Sequence, residues 1–420
     1  MIRLRNATTD TFRSLHVRNF RLFFSGQLIS QIGNWLTLVA QVLLVLKLTD
    51  SGIALGALAA AQFGPILLFG AFAGLVADRS DKRKLLLIVQ TFAMLQSFAL
   101  ATLALMGHPP LLALYGVAFL GGIAMAFDSP ARRSFVVEMV PPADINNAVS
   151  LNSALMTGSR VVGPALAGLL VVTLGFSWAF LIDGLSYLAV LLGLYMMNTA
   201  ELRQPPVTPR GKGQVREGLR YAKGNPELWV PLVMMAVIGT LAYNFQTVLP
   251  LFAKRDLGGS DLTFTLLMSV VSVGSLIGAL ATARRKTMTV SAVSRAAFAF
   301  GIAIVLLAVS PNEPLAFAVG LILGLASITF MTASTAIVQM KSDPSMRGRV
   351  LALQSMVFLG STPIGGPIVG FVAERFGARY SLLIGAAAAL AAGAYGLLAV
   401  AHARAASMPK HAAVSVSGGS

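Results

Sequence analysis

Twelve runs of predominantly apolar residues, each about as long as a helix needs to cross the hydrocarbon core of a bilayer, fill most of this chain of 420 residues. They lie roughly at Phe20–Leu46, Ile53–Ala77, Leu85–Met106, Leu111–Phe127, Ala148–Leu174 and Phe176–Met197, then at Leu228–Phe252, Leu262–Ala283, Met288–Val309, Leu315–Val338, Val350–Val372 and Tyr380–Ala401. They are numbered spans 1 to 12. Short connections such as Gly107–Pro110 and Ser310–Pro314 force helical hairpins, so the expected fold class is an all-α membrane protein. Composition agrees. The chain is 56% hydrophobic and 11% charged, with a mean hydropathy of +0.77, whereas soluble domains carry about 25% charged residues. That excludes a soluble enzyme, a secreted disulfide scaffold and a disordered chain. Cysteine is absent, and His16, His108, His402 and His411 are scattered outside the apolar runs, so neither a metal centre nor a cofactor is expected. Span 1 is too long for a cleavable signal, and no small-residue cleavage site follows it.

The net charge of +16 follows from the loops. Twenty-six of the 32 Lys and Arg residues fall on the side of the N-terminus. They occupy the N-terminal arm (Arg3, Arg5, Arg13, Arg18, Arg21), the 2–3 loop (Arg79, Lys82, Arg83, Lys84) and the 4–5 loop (Arg132, Arg133). The polar linker, the 8–9 region (Arg284, Arg285, Lys286, Arg295), the 10–11 loop (Lys341, Arg347, Arg349) and the tail hold the rest. The opposite side holds five: Lys47, Lys254, Arg255, Arg375 and Arg379. Cytoplasmic loops carry the excess of basic residues. The expectation is therefore a multi-pass protein of the plasma (inner) membrane with both termini in the cytoplasm, and the charge needs no nucleic-acid partner.

The chain also repeats itself. Gly163-Pro164 in span 5 and Gly366-Pro367 in span 11 are 203 residues apart. The end of span 2, from Gly74 through Asp78-Arg79 to Lys82-Arg83-Lys84, aligns with the end of span 8, from Gly278 to Arg284-Arg285-Lys286, at an offset of 204. Two landmarks whose offsets agree to within one residue imply two six-helix halves in the same orientation, an arrangement used by rocking secondary transporters. The expected organisation is an N-terminal bundle over 1–198, a cytoplasmic linker over 199–226 with a short basic helix at Val215–Lys223, a C-terminal bundle over 227–402 and a disordered tail over 403–420.

On these residues the sequence resembles the major facilitator superfamily over 15–402. The Gly74…Asp78-Arg79…Arg83 segment is similar to that superfamily's loop 2–3 signature, and Gly163-Pro164…Gly168 to a motif of drug:proton antiporters. Phe20-Arg-Leu-Phe-Phe-Ser-Gly26-Gln27 and Asp128-Ser-Pro130-Ala-Arg132 resemble the bacterial drug and siderophore efflux branch that includes the enterobactin exporter. The chain departs from the pattern at Asp81, where the signature has Gly, at Asn34, where many relatives carry a carboxylate, and in span 4, which lacks a mid-helix Arg. The resemblance implies twelve helices in two pseudo-symmetric bundles, a cytoplasmic gate at Asp78 and Arg79 closing on span 11, a leak-limiting role for the Gly-Pro motif, and a central cavity lined by spans 1, 4, 7 and 10.

The residues themselves narrow the mechanism. An Asp at a helix C-terminus, as at Asp78, faces the unfavourable end of the dipole and needs a basic partner or another helix's N-terminus. Gly74 should admit a neighbouring helix, as should the small face Ser159, Gly163, Ala167, while Pro164 kinks span 5. Ionisable groups inside the membrane are functional candidates by default. Those read as such are Asp128, Arg160 and Asp183. At 1.5 Å per residue, Asp128 lies about 25 Å, Arg160 about 21 Å and Asp183 about 10 Å from the outer surface, which matches Arg160 to Asp128. Gln27, Gln31, Asn34 and Gln41 share one face of span 1, and Tyr243, Asn244 and Thr335 add polar groups on spans 7 and 10. Such a cavity suits amphipathic or weakly polar organic molecules. With no phosphate-binding loop for ATP, the expected function is a monomeric exporter of small amphipathic molecules, a proton antiporter working by alternating access. A lysolipid mover or an importer is the alternative, and a receptor or membrane enzyme is disfavoured because no His or Cys lies within the spans.

Overall fold

The computed structural model describes residues 12–203, 214–283 and 288–407. Arg3, Arg5, Arg210, Lys212, the Arg284–Lys286 cluster and the tail beyond 407 lie outside the described residues. Twelve helices long and apolar enough to cross a membrane are present among them. Spans 1 to 6 are Arg18–Thr49, Gly52–Arg79, Lys82–Leu105, Leu111–Met139, Ile145–Leu174 and Phe176–Tyr195. Span 7 is built of Pro226–Leu241 and Phe245–Leu251 in tandem. Spans 8 to 12 are Asp261–Ala283, Val290–Ala308, Glu313–Lys341, Pro344–Phe376 and Ala378–Ser407. A short helix, Gln214–Lys223, precedes span 7.

Local chemistry explains the ends. The side chains of Ser51, Asp81, Asn225, Thr289 and Asn312 accept from backbone N–H groups in the first turns of spans 2, 3, 7, 9 and 10, satisfying donors that a helix start leaves open. Asp81, which replaces the signature glycine, thus caps span 3 through Lys84 N–H at 3.1 Å. Spans 5 and 6 meet at Gly175, with φ of 89°, and spans 11 and 12 at Gly377, with φ of 103°. Both turns use a conformation that side chains strain.

Most spans are longer than hydropathy predicts, and span 4 the most. It runs twelve residues past Phe127, to Met139, carrying Asp128, Arg132, Arg133 and Glu138 inside the helix. The reason is pairing. Arg132 forms an ion pair with Asp128 one turn away, and Glu138 takes Lys82 of span 3 at 3.0 Å. The Pro-Ala-Arg-Arg segment expected as a loop is therefore helical. The last helix also continues to Ser407, past the expected start of the tail.

The packing carries the repeat. Span 1 lies along spans 6 and 5, span 2 along span 4, and span 3 along spans 6 and 4. Span 7 lies likewise along spans 12 and 11, span 8 along span 10, and span 9 along spans 12 and 10. The halves meet through span 2 on span 11 and span 5 on span 8, two contacts that the 200-residue offset exchanges. Large apolar side chains such as Leu68, Ile88, Leu112 and Trp178 stay exposed around the outside. In water that surface would aggregate; against lipid tails it is the solvated face.

Candidate functional site

The even number of spans puts both described ends, the 2–3 connection and the linker helix at one end of the bundle, the basic face. At the opposite face the two halves interlock. A Cβ on Gly56 would meet Gly366 O at 2.7 Å and Pro367 Cα at 2.8 Å, and one on Gly370 would meet Gly52 O at 2.3 Å. Spans 2 and 11 therefore touch backbone to backbone, which only small residues allow. Farther in, Leu67 packs on Gly360. Spans 5 and 8 close the other side, with Gly168 seated on the Thr265 side chain.

Charges fasten the same face. Asp50 caps span 1 in the left-handed region, φ 46°, a conformation Asp tolerates. Its carboxylate accepts from Lys254 Nζ at 2.9 Å and lies 3.6 Å from Arg255, which also donates to the Asp50 carbonyl. Arg255 is 3.6 Å from Glu374, whose Oε2 accepts from Gly52 N–H at 2.7 Å. The π-turn Phe252–Asp256 at the end of span 7 presents the two cations to the first half. The hydrogen bond from Lys254, helped by the charges of Lys254 and Arg255 and opposed by partial burial, holds the Asp50 carboxyl below its ordinary range. A depressed carboxyl stabilises the paired state above its unpaired pKa and loses that contribution as pH falls through the folded value. Acidifying the opposite face below about pH 4 should loosen the latch, and Asp50→Asn should loosen it at neutral pH. Distance measurements between labels on the 1–2 and 7–8 connections will read both.

Toward the basic face these backbone approaches are not repeated at the described glycines, and span 11 packs on the linker helix, with Arg349 2.7 Å from Glu217. A Cβ on Gly74, Gly158 or Gly348 would meet nothing within 4 Å. Gly74, expected to admit a neighbour, faces open space here. Asp78 is half-buried and Arg79 exposed. Arg83 is used within the first half, where it donates to Leu194 O at 2.7 Å and Tyr195 O at 3.2 Å and so caps the C-terminus of span 6. The Gly-Pro motif divides its work. Gly163 packs on Trp35 of span 1, Pro164 is buried in the helix, and Gly168 belongs to the contact between halves.

The intramembrane charges sort differently from the depth argument. Asp128 pairs with Arg132, not Arg160, and also accepts from Gln90 Nε2 at 2.7 Å. Arg132 reaches Gln27 Oε1 at 3.2 Å, which in turn accepts from Gln31 at 3.1 Å. Rise along a helix gives height but not azimuth, and height alone misassigned the pair. Asp183 is fully buried where spans 1, 3 and 6 meet. It accepts from Thr37 at 2.5 Å and Ser97 at 2.7 Å, with Ser186 at 3.5 Å. Gly33 has no room for a Cβ beside it. No cation pairs with Asp183 among the described residues.

Of the expected cavity residues, Gln27, Gln31 and Gln41 are buried and bonded between or along helices, Gln41 accepting from Gln62 of span 2 at 2.6 Å. Asn34 is half-buried. Tyr243 and Asn244 sit at the break in span 7, where the first helix ends at Leu241 and the second starts at Phe245. Tyr243 donates to Ser327 O at 2.5 Å, and Asn244 to Thr240 O at 2.6 Å. Thr335 takes a bond from Gln354 at 3.4 Å. Hydropathy does not register the break. The signal was Asn244, a residue type that favours helix ends, at mid-span.

A twelve-span bundle of two equivalent halves, sealed at one face, defines the class: a transporter of the major facilitator fold. The family model described as transmembrane secretion effector matches residues 9–414, and the chain belongs to that family. It is 25% identical over 360 residues to the staphyloferrin A transporter of Staphylococcus aureus, covering 85% of this chain and 90% of that one. It is 22% identical to macrolide efflux protein A of Streptococcus pyogenes, covering 87% and 92%, and 24% identical to the multidrug efflux pump Tap of Mycolicibacterium fortuitum, covering 86% and 91%. Among solved structures, a bacterial homologue of the human lysosomal transporter Spinster, inward-facing and occupied, superposes with a TM-score of 0.72 at 17% identity over 93% of this chain and 97% of that one. The nucleoside transporter NupG gives 0.68 at 16%, over 92% and 99%. These likenesses show the fold.

Proposed function

We propose that this protein exports small amphipathic organic molecules by alternating access, in exchange for protons. It lies in the plasma (inner) membrane with both termini in the cytoplasm and acts as a monomer. The halves 1–198 and 227–402 rock about the intervening site, with 199–226 as the cytoplasmic linker. One observation carries the reading: spans 2 and 11 meet backbone to backbone at one face, while Gly74 and Gly348 of the same helices face open space at the other. Closure at the opposite face is then one of two states, with Asp78 and Arg79 closing the basic face in the second. The efflux proteins among the relatives support the direction.

A proton antiporter needs a group whose protonation favours one state. Asp183 fits: it is buried, held by neutral hydroxyls, and placed where three helices of one half meet. The Asp128–Arg132 pair, by contrast, neutralises itself. Expression in an efflux-deficient bacterial host should raise resistance to amphipathic compounds in a growth-inhibition panel. Asp183→Asn should remove that resistance while leaving the protein in the membrane. Resistance that survives collapse of the proton gradient would reject proton exchange.

A further inference from the structure

We infer that the central site takes amphipathic molecules bearing a carboxylate, with Arg160 gripping the carboxylate and the rings of Tyr243 and Phe358 packing against the apolar body. This deepens the transporter reading above and rests on it.

Arg160 sits near the middle of the 30-residue span 5. It lies on the side of the helix next to Ser159 and Gly163, which are buried against the bundle, on a span that packs on span 8 of the other half, and it stands within electrostatic reach of Tyr243. It thus stands between the halves, not against lipid. Its side chain is nevertheless open to that space. Neither intramembrane carboxylate is available to it. Asp128 is taken by Arg132 and Gln90, and Asp183 by three hydroxyls. Among the described residues Arg160 forms no ion pair. A guanidinium at mid-membrane costs several kcal/mol unless something anionic answers it, and its planar fork matches a carboxylate with two parallel hydrogen bonds.

The ground beside it is aromatic. Tyr243 lies 5.0 Å from Phe300 and 5.1 Å from Phe358, the latter edge-on at 82°. Tyr243 and Phe358 are only half-buried, so ring surface remains open. The Tyr243 hydroxyl is spent on Ser327 O, which fixes the ring and leaves Arg160 as the cation there. Span 7 is broken at this residue, and Asn244 Oδ1 is buried without a partner. Discontinuous helices at mid-membrane are where transporters of this kind expose polar groups to a substrate. A fixed cation beside an aromatic shelf selects an anion with an apolar body, a sharper preference than the weakly polar cargo expected from the sequence.

The test uses purified full-length protein in neutral-lipid nanodiscs and two probes that differ only at the recognised group, 1-naphthaleneacetate and 1-naphthaleneacetamide. Ligand binding to the folded state raises the melting temperature in proportion to occupancy, so half-saturating concentrations are read from thermal shifts. In the wild type the carboxylate should bind about tenfold more tightly than the amide, the scale of one charge-assisted hydrogen bond. Arg160→Gln should erase that preference while leaving amide binding in place and the ligand-free melting temperature no lower, and Arg160→Lys should keep part of it. No preference in the wild type, whether from equal binding or from none, overturns the proposal. So does an Arg160→Gln protein that weakens both probes alike. The readout is independent of transport. Efflux without carboxylate preference removes only this inference, and carboxylate preference without efflux removes only the exporter reading.

Discussion

Valine at both Gly56 and Gly370 will hold the opposite face ajar and abolish most transport without preventing insertion. The atoms that a side chain would strike are backbone: Gly366 O and Pro367 Cα for Gly56, and Gly52 O for Gly370, all at less than 3 Å from the Cβ position. A flexible side chain could swing away, but a helix backbone moves only as a unit, so spans 2 and 11 must separate. Overpacking costs about 1–3 kcal/mol per site, so two sites shift the balance away from closure by roughly two to four powers of ten. The chain has no native cysteine, so one introduced thiol reports alone. Thr247, buried in the second segment of span 7 and close to Gly366, is shielded while the interlock holds. Thr247→Cys should resist a membrane-impermeant maleimide in the otherwise unaltered protein and react with it, from the opposite face, in the double valine variant. Unchanged labelling together with retained transport would show that this interlock is not a gate.

How far the sequence could be read depended on whether a property lies along the helix or around it. Span number, order and the repeat are one-dimensional, and runs of apolar residues with matching landmarks at Gly163 and Gly366 reveal them. The extent of span 4 was hidden because a hydropathy window sees charges at Asp128, Arg132 and Glu138 but not the pairs that neutralise them. The break in span 7 was hidden because a hydropathy average over the span absorbs the one polar residue there, Asn244. At the site, the direction a side chain takes around its helix was not legible. The glutamines of span 1 share a face, as periodicity requires, but that face packs on spans 2 and 4, where Gln41 meets Gln62 and Gln27 meets Arg132. Helix rise alone matched Arg160 to Asp128, yet a partner one turn away on the same helix, Arg132, takes Asp128. Local pairs of that kind are legible from i, i+4 spacing, and reading Arg132 as a loop residue concealed it.

The same pair supports a stability prediction with a sign that separates two accounts of it. Asp128 and Arg132 are both buried, and the polar groups around them, Gln90, Gln27 and Gln31, come from two other helices. Removing the carboxylate alone, as in Asp128→Asn, strands a guanidinium in the bundle. One-sided loss of a buried pair costs about 3–5 kcal/mol, because the remaining charge keeps its desolvation penalty without its partner. Removing both charges relieves that penalty. Asp128→Asn with Arg132→Gln should therefore recover most of the loss, since neutral amides of similar size can still bond to Gln90 and Gln27. Unfolding of the purified protein in a graded denaturing-detergent series will measure all three variants against the wild type. If the pair is structural, the single change is much worse than the double, and transport by the double variant follows its recovered stability. A double variant that is stable but does not transport would instead make the pair a moving part of the cycle, broken and remade as the halves rock.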